Sequence, residues 1–132
     1  MHKGYLKAGL LFAALAVVFG AFAAHAIKSR VSADALAVFE TGVRYQMYHS
    51  LALILTGILY KEFPTKSVLW AGKLFITGII LFSSSLYLLT YFKAIENASM
   101  LWLGAVTPFG GVCLIVGWGF LLKGVLSKRE ID

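Results

Sequence analysis

Residues 39–49, FETGVRYQMYH, place charged and hydrogen-bonding side chains at the start of a long apolar run. The surrounding chain has 132 residues, of which 60% are hydrophobic and 14% are charged, and its mean hydropathy is +0.84. This composition lies outside the range of soluble globular domains and is typical of membrane proteins. The polar stretch must therefore lie near the membrane surface or find partners inside the protein.

Four apolar segments are each close to the length of about 20 residues that a helix needs to cross a membrane. Their predicted bounds are about 6–26, 43–60, 70–92 and 98–122, within a single domain covering residues 1–132. The first segment also resembles a secretory signal peptide that ends in Ala24-His25-Ala26. Its apolar run is longer than the roughly 7 to 15 residues usual for a signal peptide, which favours an uncleaved span. In the fourth segment, Pro108 predicts a kink.

Residues 32–42 have the pattern of a separate helix that precedes the second span. Ser32 is a plausible N-cap, and Asp34 lies in the first turn, where the helix dipole favours an acid. Apolar side chains recur at helical spacing, and Gly42 is the expected bend between this helix and the span. The predicted fold class is thus an all-α membrane protein with four transmembrane helices in a compact bundle. A short amphipathic interfacial helix joins spans one and two.

The distribution of basic residues predicts the orientation of the chain. Eight Lys and Arg residues lie at the termini and in the loop between spans two and three: Lys3, Lys7, Lys61, Lys66, Lys73, Lys123, Lys128 and Arg129. The opposite side holds four, namely Lys28, Arg30, Arg44 and Lys93. Because cytoplasmic loops accumulate Lys and Arg, both termini are predicted to be cytoplasmic. The basic residues are scattered at span ends, so the net charge of +6 indicates contact with anionic lipid and not with nucleic acid.

The opening stretch supplies most of the candidate functional residues. Glu40 and Arg44 are four residues apart and can pair on one helix face. His49 lies on another face, and the predicted partner for it is His25 at the end of span one. The candidate polar cluster, or ligand-binding site, comprises His25, Glu40, Arg44, Tyr45, Gln46 and His49.

Several functions are compatible with such a cluster. A polar clasp that fixes the interfacial helix to the bundle is the favoured interpretation. The main alternative is a binding site for a lipid, a quinone or haem, in which Arg44 and Lys28 contact phosphate or the two histidines ligate iron. We predict no cofactor and no metal, because two histidines lack the further ligands that zinc requires. No hydrolase triad order, phosphate loop or HExxH motif is present, so an enzyme is not predicted.

Two further alternatives concern transport and self-association. Small multidrug transporters also have four short spans, but they need an acid in the first span, and residues 8–24 contain none. Span one carries small residues at four-residue spacing, namely Gly9 and Ala13, and Ala16, Gly20 and Ala24. Such stripes serve close packing within one bundle or between copies, and the chain is predicted to form a homo-oligomer.

Two motifs resemble a known family. The end of span one, GAFAAHA at residues 20–26, and the stretch FETGVRYQMYH followed by LAL are similar to the family called domain of unknown function 423. The likeness covers nearly the whole chain, including the four-span layout. It implies a bacterial inner-membrane protein without an established activity, and it marks seven motif positions: His25, Glu40, Gly42, Arg44, Tyr45, Gln46 and His49.

The sequence therefore predicts a multi-pass protein of the bacterial inner membrane with membrane lipids as its partners. The leading hypothesis for its role is a non-enzymatic component that supports membrane integrity or lipid organisation. A membrane-embedded module that binds a small apolar or lipid ligand is the second hypothesis, and a small transporter is the third.

Overall fold

The computed structural model describes residues 1–127 and contains four α-helices. Lys128 and Arg129, which the charge distribution above assigns to the cytoplasmic side, lie outside these residues. The helices are α1 (Lys3–Phe22), α2 (Ala33–Leu59), α3 (Lys66–Ala94) and α4 (Val106–Leu126). A π-helical turn, Ala23–Ile27, extends α1, and a 3-10 helix, Ala98–Ala105, precedes α4. No strand occurs within residues 1–127.

In the described part of the chain, three segments are long and apolar enough to cross a membrane, as judged from their length and composition. They are Lys3–Ile27, Lys66–Ala94 and Ala98–Leu126. The protein is therefore an all-helical membrane protein. α2 is not among these segments, because its central residues, 44–50, are mostly polar.

Consecutive helices pack against one another in an antiparallel arrangement. α1 packs on α2, α2 on α3, and α3 on α4. Close approaches fix the register of the first pair, because a Cβ added at Gly9 would lie 2.9 Å from the carbonyl oxygen of Ser50. In the last pair, a Cβ on Gly110 would collide with the backbone nitrogen of Phe82. The small residues Gly9 and Ala16 are buried on α1, so these positions serve packing within the bundle.

α2 is one continuous helix where the sequence predicted two pieces joined by a bend at Gly42. The predicted cap is confirmed, since Ser32 Oγ accepts a hydrogen bond from the backbone N–H of Ala35 (3.2 Å). Gly42 has a different role from the one predicted. A Cβ there would lie 2.8 Å from the ring of Tyr87, so the glycine permits close contact between α2 and α3.

The predicted kink at Pro108 is also replaced by another arrangement. Residues 98–105 form a 3-10 helix, and α4 begins at Val106. Pro108 consequently lies in the first turn of α4, where a missing N–H costs no intrahelical hydrogen bond. At the start of the 3-10 helix, the side chain of Asn97 accepts a hydrogen bond from the backbone N–H of Ser99 (3.1 Å).

Candidate functional site

Gln46 links three helices from a buried position on α2. Its side chain is 3% exposed. The amide nitrogen donates to the carbonyl of Phe12 on α1 (2.9 Å), and the amide oxygen accepts from the hydroxyl of Tyr87 on α3 (2.8 Å). Both ends of the amide are thus occupied by partners on different helices, which fixes the positions of α1 and α3 relative to α2.

His49 lies one turn further along α2 and connects it to α4. Its ring is 6% exposed and packs near Phe75. Trp118 Nε1 donates to His49 Nε2 (3.1 Å), and Nδ1 lies 2.8 Å from the carbonyl oxygen of Tyr45. An indole N–H can only donate, so Nε2 must accept and Nδ1 must carry the proton that it donates to Tyr45. We therefore assign His49 as the neutral imidazole with its proton on Nδ1.

Other polar side chains in the interior form hydrogen bonds between helices or back to their own helix. Ser83 donates to the carbonyl of Gly42 (2.8 Å), while Ser85 and Thr107 bond to each other between α3 and α4 (2.7 Å). Among residues 1–127, no buried side-chain nitrogen or oxygen lacks a hydrogen-bond partner. This pattern is typical of polar groups that hold helices together.

His25 and His49 do not come together, so the predicted pair is wrong. His25 is exposed in the π-helical turn beyond α1. His49 is adjacent to Ser50, which contacts Gly9, and His25 lies 16 residues beyond Gly9. At about 1.5 Å per residue, the two histidines are about 24 Å apart along the helix axes. Within residues 1–127, no group of three or more His, Cys, Asp or Glu side chains could hold a metal ion.

Glu40 and Arg44 lie on a different side of α2 from the buried network. Glu40 is half-buried and Arg44 is exposed. The guanidinium of Arg44 donates to Thr41 Oγ1 (3.2 Å), and no ion pair with Glu40 within 4.0 Å is found in the described part of the chain. The predicted intrahelical pair is therefore not formed. Both side chains instead line a shallow cavity of about 270 Å³ beside Gly20 and Ala23.

Tyr45 occupies the boundary between the two sides of α2. Its side chain is 41% exposed, and its ring packs against Phe82 with the centroids 4.8 Å apart. The six predicted site residues thus fall into three places: a buried network, an exposed side of α2 and the end of α1. They do not surround one pocket.

A larger cavity lies at the end of the bundle that carries the α1–α2 and α3–α4 connections. We call it the Arg30 cleft. Its volume is about 440 Å³, and the side chains that line it are almost all apolar or aromatic: Ile27, Arg30, Val31, Phe39, Tyr87, Thr90, Tyr91, Ala94 and Ile95. This volume is within the roughly 300 to 1,000 Å³ typical of sites for small ligands.

Sequence reasoning missed Tyr87 and Trp118, the partners of Gln46 and His49. Both residues lie within apolar spans, whereas tyrosine and tryptophan in membrane proteins concentrate at the two interfaces. A hydroxyl or indole N–H in the interior needs an acceptor, so their positions were a usable signal. The sequence did not show which acceptor each would find.

Comparison with known proteins identifies the family. Residues 19–111 match the family described as Protein of unknown function (DUF423). The chain belongs to this family. It is 41% identical to a UPF0382 membrane protein of Staphylococcus saprophyticus, over 95% of this chain and 98% of the relative. A UPF0382 membrane protein of Staphylococcus aureus is 42% identical over 91% and 93%, and one of Bacillus subtilis is 41% identical over 88% and 90%.

No solved structure matches this chain. The family match and these relatives confirm the predicted resemblance, and the relatives are described as membrane proteins of bacteria. The GAFAAHA and FETGVRYQMYH motifs both lie within the matched residues.

Proposed function

We propose that this protein is a four-span, non-enzymatic component of the bacterial inner membrane that organises lipids around a rigid helical bundle. In this proposal α2 is the fourth crossing, both termini are cytoplasmic, and the Arg30 cleft holds one chain of an anionic phospholipid. The observation that carries the proposal is the apolar lining of this cleft with a single arginine.

The packing of α2 supports its assignment as a span. Near one end, Thr90 of α3 donates to the carbonyl of Ala35 (3.3 Å), and near the other, the backbone N–H of His2 donates to the carbonyl of Gly57 (2.8 Å). α2 thus runs beside two apolar helices over nearly their full length. Its polar centre is covered by protein on the side of Gln46 and His49, which lowers the cost of placing that side at membrane depth.

The charges at the two ends of the bundle support the orientation. Six basic residues lie at the end of the bundle that carries the N-terminus, or in the adjoining helical turns: Lys3, Lys7, Lys61, Lys66, Lys73 and Lys123. At the other end lie Lys28, Arg30 and Lys93. This asymmetry favours a cytoplasmic N-terminus. We further propose that the first turn of α2, with exposed Asp34, serves as the interfacial portion of that helix.

Single-cysteine labelling tests the crossing. In a Cys113→Ser background, Lys28→Cys and Lys61→Cys flank α2 and are both exposed. A membrane-impermeant maleimide should label Lys28→Cys from outside intact cells and should label Lys61→Cys only after the membrane is opened. Labelling of both positions from the same side would contradict the crossing.

The chemistry of the Arg30 cleft favours an anionic phospholipid as its occupant. The apolar lining fits an acyl chain, and the Arg30 guanidinium can donate two hydrogen bonds to a phosphate. Arg30 has no carboxylate within 4.0 Å among residues 1–127. Of the three hydroxyl side chains that also line the cleft, Tyr87 donates to Gln46, Thr90 donates to backbone carbonyls, and Tyr91 is 57% exposed. No histidine, cysteine or methionine lines the cleft, so it offers none of these common axial ligands to haem.

Native mass spectrometry of the gently solubilised protein tests the lipid proposal. We expect a retained phosphatidylglycerol adduct that is lost or weakened in Arg30→Gln. Lys28→Gln is the matched control, because Lys28 is exposed at the same end but does not line the cleft. Equal phosphatidylglycerol retention in the parent and Arg30→Gln would contradict the site. A bound quinone in place of the lipid would favour the binding-module alternative.

A cellular experiment tests the proposed role. Removal of the gene should increase the permeability of the inner membrane to a small dye under envelope stress. The parent gene and Lys28→Gln should both restore the barrier, whereas Arg30→Gln should restore it less. Unchanged permeability after gene removal would contradict a role in membrane integrity.

A further inference from the structure

Arg44 lies at the depth of the middle of the neighbouring span. Ser83 on α3 donates to the carbonyl of Gly42, so these two residues are level. Ser83 is the central residue of the uncharged run 74–92, with nine residues on either side. At about 1.5 Å per residue, Ser83 is about 14 Å from each end of the run, and Arg44 lies about 3 Å from Gly42 along α2.

Within residues 1–127, the side of α2 that carries Arg44 is largely exposed. We define the Arg44 face by four residues: Ala37, Glu40, Arg44 and Tyr48. They recur at three- or four-residue spacing and so share one stripe of the helix. Ala37, Arg44 and Tyr48 are exposed, and Glu40 is half-buried. α1 and α3 pack on the other sides of α2 through Gly9 and Gly42, respectively.

A charged side chain at this depth needs a polar partner. Facing lipid tails, a guanidinium and a carboxylate would both lose water without compensation. Within the described chain, the side-chain hydrogen bond of Arg44 is to Thr41, and no carboxylate pairs with it within 4.0 Å. The Arg44 face is therefore incomplete in a single copy of the protein.

We propose that a second copy of this chain covers the Arg44 face and that Arg44 of each copy pairs with Glu40 of the other. Copies inserted in one membrane share the same orientation, so a twofold axis along the membrane normal relates them. Glu40 and Arg44 are one helical turn apart on the same stripe, and a long arginine side chain spans one turn. The face is thus self-complementary in charge, and the twofold axis creates two identical ion pairs. This inference rests on the proposed crossing of α2 but is independent of the Arg30 cleft.

Disulfide crosslinking tests the interface without altering its charges. Ala37→Cys in a Cys113→Ser background places a small thiol on the Arg44 face. Leu88→Cys is the control: Leu88 is 46% exposed on α3, and it lies at the same depth because Thr90 bonds to Ala35. With a membrane-permeant oxidant, we expect several-fold more covalent dimer from Ala37→Cys than from Leu88→Cys. Equal yields, or crosslinks only to a different protein, would overturn the proposal.

A charge-exchange experiment separates pairing between copies from pairing within one helix. Arg44→Glu leaves two acids on the face, and Glu40→Arg leaves two bases. Each variant alone should lose self-association, because every pair across the interface then has like charges. Differently tagged copies of the two variants, expressed together, should co-purify at the level of the parent, because each acid then meets a base of the other chain. Failure of the mixed pair to co-purify, with both chains inserted as judged by labelling of the Lys28→Cys position, would overturn the ion pairs.

The two proposals fail in different ways. If α2 does not cross the membrane, the labelling of Lys28→Cys and Lys61→Cys from opposite sides is lost. If α2 crosses but the second copy is absent, that labelling is retained and the excess Ala37→Cys dimer is missing.

Discussion

Two sides of the same helical stretch differ in their surroundings although both are polar. On one side of α2, Gln46 and His49 are buried and hydrogen-bonded to α1, α3 and α4. On the other side, Arg44 and Tyr48 are exposed, and among residues 1–127 the side-chain partner of Arg44 is the neighbouring Thr41. The buried side joins the helices of one copy, whereas the exposed side is the one we assign to contact between copies. Substitutions on the two sides should therefore affect different measurements.

The largest effect on folding is expected at Gly42, beneath the buried side. Gly42→Leu would place side-chain atoms where a Cβ already lies 2.8 Å from Tyr87 and 3.3 Å from the carbonyl of Ser83. We expect the free energy of unfolding to fall by about 3 kcal/mol, because overpacking forces helices apart. Unfolding by sodium dodecyl sulfate in mild-detergent micelles measures this loss. Gly119→Leu is the control, since a Cβ there meets nothing within 4 Å. Equal effects at the two glycines would contradict the close approach of α2 and α3.

A smaller loss is expected from Gln46→Leu. This change removes the hydrogen bond to Phe12 and leaves the Tyr87 hydroxyl without its acceptor. The cost should be about 1–2 kcal/mol in the same unfolding assay, as for a buried polar group that loses its partner. The double variant Gln46→Leu with Tyr87→Phe should recover part of this loss, because no donor is then left unpaired. A double variant less stable than Gln46→Leu alone would show that the hydroxyl has another role.

His49→Leu should cost about 1 kcal/mol or less, because its partner Trp118 is 45% exposed and loses little by giving up this bond. The change should also alter the environment of the indole, which is visible in the near-ultraviolet absorption and fluorescence of tryptophan. Trp70→Phe and Trp102→Phe, introduced into both the parent and the His49→Leu variant, isolate the signal of Trp118. An unchanged Trp118 spectrum would contradict the hydrogen bond between α2 and α4.

The smallest effect on folding is expected on the exposed side. Arg44→Gln should change the free energy of unfolding of the dilute, monomeric protein by no more than about 0.5 kcal/mol, as for a surface substitution. The ion pair predicted from the sequence would make this a clear loss of stability, because Glu40 would lose its intrahelical partner. The structure lacks that pair, so the loss is not expected. Self-association, measured by sedimentation in the same detergent, should instead be reduced. A loss of monomer stability as large as that of Gln46→Leu would contradict this expectation and would support an intrahelical pair between Arg44 and Glu40.

Features that depend on local sequence were predictable. Ser32 is the cap that it was expected to be, because capping uses a backbone group three residues away. The membrane class follows from composition, and the helical segments follow from apolar length and from the proline, glycine and polar residues between them. The family resemblance rested on two motifs and is confirmed over most of the chain.

Contacts between helices were not predictable in the same way. The partner of His49 is Trp118, 69 residues away, and the partner of Gln46 is Tyr87, 41 residues away. Such pairs depend on the rotation and register of each helix. In apolar helices with few polar residues, the residue pattern specifies these only weakly, and close approaches at glycines determine them instead.

Composition and residue order are enough to predict that this chain forms apolar helices in a membrane, with basic residues at their ends and a polar stretch on one helix. The free-energy terms behind these features are local or compositional, because they depend on apolar length, backbone hydrogen bonding and capping. Which polar side chains of α2 are enclosed and which face outward depends on how the helices pack in the folded bundle. Packing at Gly9 and Gly42 sets the rotation of α2, and this rotation buries Gln46 and His49 while it exposes Arg44.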